Sequence, residues 1–380
     1  QIEISPIISP DHAEATKTII KQGLKADIVA HGRALKEDID VSRKCDASWV
    51  AAYLGISDIH LKDKLRISRD EALNRAVKTV EYAKSHGLKI RFTVEDGSRA
   101  DPQFLISVCK AIEEAGVDRI SLTDTVGILR PLGMYNFVKM VHSEVSVPLD
   151  AHVHNDIGFA LANAFAACDA GVDQIHTTID GIGERTGIPA LAETAVALHY
   201  IYKSPNDFRL DMLGDLSRLI EQYTNIQPYD SKPIVGTSAY KHKAGTHLAA
   251  VLKNSYAYEP IHPRAVGNRR RLVFGELAGK AGVEHLMSLL GMKTDPKTGR
   301  LTEKWDAKTI AAGMKSMAQV TNGDLFEIPL YDSGDIQADI RDDVDYGDDI
   351  DSKSEPASTS PNIPPGKKFI NSKKGRKSRK

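Results

Sequence analysis

Short apolar runs alternate with amphipathic helices over the first two hundred residues of this chain, and that alternation restricts its fold more than any other feature. Strands are expected near residues 2–5, 26–30, 49–55, 88–94, 118–123, 147–153 and 174–179. The helices between them are clearly punctuated. Ser68 and Glu71 form a capping-box pattern ahead of Ala72, Leu73, Ala76, Val77, Val80 and Ala83, which recur at helical spacing, and Gly87 follows as a stop. Asp101 and Pro102 open another helix that Gly116 closes. The segment Ala115-Gly116-Val117-Asp118-Arg119-Ile120 is echoed by Ala170-Gly171-Val172-Asp173-Gln174-Ile175, each copy a helix end followed at once by a strand. Strict alternation of this kind means a parallel sheet, either doubly wound and open or closed into a barrel.

Polar residues gather at the carboxyl ends of nearly every strand: His31 and Arg33, Glu95 and Asp96, Asp124 and Thr125, His152 and His154, and Asp180. A barrel focuses all its strand ends on one pocket, whereas an open sheet gathers ligands at one switch point. No G-x-G-x-x-G follows an early strand, which weighs against a dinucleotide fold. The α/β class expected is therefore a TIM (β/α)8 barrel. Seven strands are counted, and the first is already under way at residue 2. A formal net charge of -1 gives no global field to select nucleic acid or a membrane. No apolar run is long enough to span a bilayer. Cys45, Cys109 and Cys168 lie far apart, which suits a reducing cytoplasm and argues against a disulfide scaffold.

The run His152-Val153-His154-Asn155-Asp156 ends one of the strands. Alternate strand residues share a face, so the two imidazoles point the same way and make half of a divalent-metal site. The plainer reading is two histidines satisfied by neighbouring backbone. Asn155 and Asp156 could orient those histidines or cap the next helix. The loop Gly181-Ile182-Gly183-Glu184-Arg185-Thr186-Gly187 follows the last strand. Its backbone could approach a ligand closely, with Glu184 and Arg185 pairing to polar groups, or it is only a tight turn.

Together with Ser121-Leu122-Thr123-Asp124-Thr125-Val126-Gly127 and the distant His242-Lys243-Ala244-Gly245-Thr246-His247, these two elements resemble the homocitrate synthase and 2-isopropylmalate synthase enzymes over roughly residues 2–290. The resemblance implies a barrel over residues 1–205, small helical subdomains over 206–330, and a homodimer. It implies a Claisen-type condensation of acetyl-CoA with a 2-oxo acid, assisted by a divalent metal (Mg, Mn or Zn) that polarises the keto carbonyl. His152 and His154 match the histidine ligands of that metal. His242 matches the histidine assigned to acid–base work, Tyr258 a tyrosine of the same subdomain, and Glu184 joins them as a catalytic candidate from the glycine loop. The family brings the His242 segment over the partner subunit's barrel, so catalysis would require the dimer. Read from the residues alone, His242 lies among the cations Lys241 and Lys243, as either a base kept neutral or part of a solvated basic loop.

Substrate-binding candidates are His31, Arg91, Thr93, Glu95 and Thr125. A second carboxylate, as in 2-oxoglutarate, requires a cation or donors, whereas a branched apolar tail does not. Arg91 and His31 stand where homocitrate synthases carry pocket residues, and Gly187-Ile188 resembles the same branch. Ser57-Asp58-Ile59-His60 and Lys64-Leu65 read more like 2-isopropylmalate synthases, and Thr93-Val94 departs from both. Homocitrate synthase is the expected activity, with 2-isopropylmalate or citramalate synthase as the alternative. An acyl-CoA lyase on a similar barrel is the more distant one, because such lyases carry a cysteine in the glycine loop, which has none here.

Family members open with a strand bearing an acidic metal ligand and an Arg-Glu-x-x-Gln pattern, and nothing like it precedes Gln1. The expectation is a fragment lacking its first barrel strand, with two parallel edges exposed and no turnover of its own; robust acetyl-CoA consumption by these residues alone would refute it. From about Tyr331 the composition turns acidic and ends in a basic terminus, Lys373-Lys374-Gly375-Arg376-Lys377-Ser378-Arg379-Lys380, which reads as a disordered tail over 331–380. That tail is the one feature that fits a non-catalytic, nucleic-acid-binding reading, and nucleic acid is not the expected partner.

Overall fold

In a computed structural model, which describes residues 1–275, 277, 279–289, 307–321 and 326–329, seven strands pair in sequence order, every neighbouring pair parallel. The order is β1 (Ile2–Ile4), α1 (Pro10–Lys21), β2 (Ile28–Arg33), α2 (Lys36–Lys44), β3 (Trp49–Gly55), α3 (Arg69–Ser85), β4 (Lys89–Glu95), α4 (Pro102–Glu114), β5 (Arg119–Asp124), α5 (Pro131–His142), β6 (Leu149–Val153), α6 (Ala160–Ala170), β7 (Gln174–Ile175) and α7 (Leu191–Tyr200). The sheet curls as a barrel wall does. Among the described residues no strand pairs β1 with β7, so the wall has two edges, and a cavity of about 620 Å³ opens between them.

The expected barrel pattern is present strand by strand, although β7 is only two residues long. Beyond it a single bridge joins Thr178 to Ala190, and Asp180 lies in a left-handed turn (φ 57°) with Ser217 donating to it at 2.7 Å, not at a strand end. The capping box of α3 forms as read: Glu71 N donates to Ser68 Oγ (3.2 Å) and Ser68 N to Glu71 Oε2 (2.7 Å). Ala72, Ala76, Thr79, Val80 and Ala83 form its buried stripe. In α4, Phe104 N donates to the Asp101 carboxylate at 2.9 Å, with Pro102 at the first helical position.

The echoed Ala-Gly-Val-Asp motif has a shared physical task. Asp118 N donates to Ile90 O while its carboxylate accepts from Ile90 N (2.8 Å); Asp173 does the same to both backbone groups of Leu149, at 2.8 and 2.9 Å. Each aspartate thus closes the ladder groups at the start of the strand before it, groups that burial would otherwise leave unpaired.

Parallel partners share a face, and this divides each strand cleanly. On β4, Ile90, Phe92 and Val94 are fully buried against the helices, in the continuous core that also holds Ile120, Leu122, Leu149, Val153, Val108 and Ile112. Arg91, Thr93 and Glu95 have the opposite parity and face the interior of the curl. Above a small apolar cluster of Val29, Trp49 and Ala51, that interior is polar.

Downstream, α8 (Leu213–Thr224), β8 (Lys241–His242), α9 (Gly245–Val251), β9 (Arg271–Phe274), α10 (Lys280–Leu289), α11 (Ala307–Thr321) and β10 (Phe326–Pro329) follow. They add a small three-stranded sheet, ordered β10-β9-β8, to the helices expected there. A second core of Ala195, Val196, Leu210, Leu213, Tyr240, Ile261 and Val266 joins α7 to this region. No helix of the described residues is long and apolar enough to cross a membrane. The tail expected over 331–380 lies outside the described residues.

Candidate active site

The carboxyl end of β6 carries the histidine pair. His152 Nε2 lies 3.3 Å from His154 Nε2, within the roughly 3.0–3.4 Å that separates two nitrogens each about 2.1 Å from one ion. Burial, with His176 and His154 beside it, drives the pKa of His152 well below that of an ordinary imidazole. His154 is lowered too, by burial first and then by the Arg185 cation. Both rings are therefore neutral near pH 7, the state a metal requires. The donor set fits two adjacent positions on a divalent ion. Among the described residues no group of three or more His, Cys, Asp or Glu converges to complete it.

Next to the pair lies a cluster that sequence reasoning largely missed. His176, just past β7, brings Nδ1 to 3.1 Å from His152 Nδ1, and its Nε2 lies 3.3 Å from Asp150 Oδ2. Arg91, only 4% exposed, places Nη1 3.2 Å from His176 Nε2 and donates Nη2 to Glu3 of the edge strand. Surrounding protein pushes the Glu3 carboxyl upward, but Arg91, with His31 and His176, outweighs it and holds the pKa at about 2. His31 stacks on Tyr53 (ring centroids 5.0 Å) and contacts Ser5 Oγ at 3.3 Å. Glu3, His31, Arg91, His152 and His176 thus form one electrostatic unit spanning the curl. Strand parity was the signal available for Glu3 and His176, since Glu3 is paired with Val29 and His176 lies two residues beyond Gln174.

The remaining candidates serve different ends. Thr93 Oγ1 is buried and makes no hydrogen bond among the described residues. Glu95 is clamped by Lys64 Nζ at 2.6 and 2.7 Å, a lysine delivered by the π-helical turn His60–Leu65. Thr125 Oγ1 accepts from Asp96 N at 2.9 Å, so its hydroxyl satisfies backbone. Asn155 does likewise, accepting from Ala160 N (3.1 Å) at the start of α6.

Arg185 ties three strand-end loops together. It donates to Asp156 (2.6 and 3.0 Å) and to Thr125 O (2.5 Å), and the guanidinium holds the Asp156 carboxyl below its ordinary pKa. Glu184 beside it is exposed. The loop needs glycine at 187: φ is +80°, and a Cβ there would fall 1.7 Å from Gly181 O.

The other two catalytic candidates lie in the downstream region. His242 is buried with Nε2 2.9 Å from Glu259 Oε1, and Tyr258, 46% exposed, stacks on His247 at 3.9 Å between ring centroids.

Two family models match this chain: HMGL-like over residues 1–220, and homocitrate synthase post-HMGL domain-like over 234–320. Homocitrate synthase AksA of Methanopyrus kandleri is 41% identical over 78% of this chain and 75% of its own length. A probable 2-isopropylmalate synthase of Ignicoccus hospitalis is 42% identical over 77% of this chain and 73% of its own. Hydroxymethylglutaryl-CoA lyase of Pseudomonas aeruginosa shares the fold, with a TM-score of 0.51 at 22% identity over 60% of this chain and 80% of that one. With its parallel barrel wall, its paired histidines at the carboxyl end of β6 and these relatives, the chain belongs to the HMGL-like family, in the group that contains homocitrate synthases and 2-isopropylmalate synthases.

Proposed function

We propose that this protein is an acyltransferase that condenses acetyl-CoA with a 2-oxo acid, 2-oxoglutarate in preference, to give homocitrate in lysine biosynthesis. The observation that carries the reading is the neutral pair His152 and His154 beside the buried cation Arg91, inside one parallel barrel wall. A divalent ion (Mg, Mn or Zn) held by the two histidines would supply Lewis-acid polarisation of a keto carbonyl. The protein's own groups do the rest. Arg91 offers a guanidinium to the far carboxylate of a dicarboxylic oxo acid, and its five donors allow it to serve that group while keeping Glu3. His31 lines the same space, and the unspent Thr93 Oγ1 is a donor for a substrate oxygen. A branched apolar tail would leave this buried polar wall unsatisfied, at a cost of about 1–3 kcal/mol per orphaned group.

In this reading His242 moves the proton, with Tyr258 and Glu184 as further catalytic candidates, and Glu95 and Thr125 border the substrate. The unit is a cytoplasmic homodimer in which the downstream region, 206–330, complements the barrel of residues 1–205. The second reading, 2-isopropylmalate or citramalate synthase, draws on the Glu3 carboxylate already seated on Arg91. CoA release by the intact enzyme decides between them. It is expected to be faster with 2-oxoglutarate than with 2-oxoisovalerate or pyruvate, and equal or reversed rates sink the homocitrate assignment.

A further inference from the structure

The outer side of α8 carries an apolar seam that the described residues leave open to solvent. Met212, at the N-cap, and then Leu216, Leu219 and Tyr223 follow one another at spacings of four, three and four residues. Those intervals keep the side chains in a narrow stripe on one side of a helix, the pattern of a helix-pairing seam. Met212, Leu219 and Tyr223 are 50%, 46% and 80% exposed, and Leu216 is half-buried. Single exposed apolar residues are ordinary on a protein surface, but four in register on one helix are not scatter. Ile226 and Tyr229, just past the Asn225 cap, add to the exposed apolar surface.

The neighbouring face of the same helix holds it in place. Leu213, Gly214 and Ser217 are buried. Gly214 lies so close to Gly267 that a Cβ would fall 2.2 Å from its carbonyl oxygen, and Ser217 donates to Asp180 at 2.7 Å. The apolar side of α8 is therefore wider than the part that the chain itself covers. An isolated helix of 12 residues is marginal in water, but α8 is already folded onto its support, so pairing does not bear the cost of forming it.

We propose that the seam of α8 is the surface through which two copies of this chain pair, helix against helix and antiparallel about a two-fold axis. An isologous contact requires a patch that complements itself, and this one does. With the axis between Leu216 and Leu219, Leu216 faces the partner's Leu219 and Met212 faces the partner's Tyr223. The seam carries no charge, and Asp215 and Arg218 on its polar flank are already ion-paired with each other, so no oppositely charged partner is selected. A net charge of -1 gives two copies little long-range repulsion. From the usual sizes of these side chains, the seam with Ile226 and Tyr229 exposes on the order of 600 Å² per copy, at the upper end of what a monomer shows and close to the roughly 800 Å² per partner of a stable interface. That two copies associate at all rests on the homodimer given under Proposed function; which surface they use rests on the seam.

Sedimentation velocity of the full chain over a concentration series reads the association. The parent is expected to sediment as a dimer that dissociates on dilution, with a melting temperature that rises with concentration. Leu219→Glu, which places a charge in the middle of the seam, should raise the dimer dissociation constant at least about thirtyfold, the effect of losing one central contact. Tyr223→Ser, at a side chain 80% exposed in a single copy, should weaken the dimer without disturbing the fold, and it serves if the first variant does not fold. In an equimolar mixture of Leu216→Cys and Leu219→Cys chains, oxidation should join unlike chains beyond the random proportion, because the two-fold sets those positions opposite each other. The random proportion overturns the antiparallel arrangement. A dimer whose dissociation constant is unchanged in both Leu219→Glu and Tyr223→Ser overturns the seam and leaves the homodimer standing. A parent that stays monomeric throughout the series overturns both, and slow thiol labelling of Leu219→Cys in such a monomer assigns the face to another segment of the same chain.

Discussion

Arg91→Met is the most informative single change in the barrel. Methionine keeps much of the length and apolar stem of the arginine and deletes its charge. In the parent, Arg91 is the principal group holding the Glu3 pKa at about 2 instead of 4.5. At about 1.36 kcal/mol per pKa unit that drop corresponds to about 3.4 kcal/mol. Because 40% of the Glu3 side chain is exposed, solvent screening reduces the usable part to about 1–2 kcal/mol. The sign follows from linkage: the folded-state pKa is depressed, so the stabilisation is complete above pH 4.5 and is lost as the pH falls toward 2. Arg91→Met is thus expected to be about 1–2 kcal/mol less stable than the parent at pH 7, with the gap narrowing as the pH falls below about 4.5. Urea unfolding of both proteins at intervals from pH 7 to pH 3, with unchanged m-values, gives the difference directly. A gap of constant size across that range would assign the loss to packing and refute the electrostatic account.

Three further outcomes are expected. Gly187→Ala should cost about 2–3 kcal/mol, because it combines left-handed backbone with a Cβ driven into Gly181 O; thermal unfolding equal to the parent's would rule out that close approach. His152→Gln and His154→Gln should each weaken Mn²⁺ or Zn²⁺ binding at least tenfold by calorimetry, and the depressed imidazole pKa values should let parent binding persist to lower pH than an ordinary histidine pair would allow. Identical affinities in parent and variants would exclude the pair as ligands. Ser68→Ala should cost about 1 kcal/mol through loss of the α3 capping box, and Ser68→Asp should recover most of it in chemical denaturation.

Local chemistry made much of this protein legible in its sequence. The capping box at Ser68, the Asp101-Pro102 helix start and the strand parities all depend on neighbours within a few residues, so the chain order alone reveals them. The His152–His154 pair belongs to the same class, because period two places both rings on one face whatever surrounds them. The echoed Ala-Gly-Val-Asp motif was visible as a pattern, but its task was not, since each aspartate serves a strand that lies 24 or 28 residues earlier in the chain.

What the tertiary structure decided is who meets whom. Glu3 and Arg91 are 88 residues apart in sequence, on β1 and β4, and become partners only because the parallel wall curls and turns their inner faces toward each other. His176 joins His152 through the β6–β7 register, and Thr125 is spent on backbone because the β4 and β5 loops adjoin. The contacts of Glu259 with His242 and Arg270 need β8 and β9 side by side, which no spacing announces. For the barrel wall the sequence by itself determined the elements, their order and the faces of each strand, because those follow from propensity, capping and alternation along the chain, whereas the downstream sheet of β8, β9 and β10 emerged only in the tertiary structure. The pairing of charges in the interior was set by closure and register, because a low-dielectric interior makes each charge depend on the partner that folding brings to it.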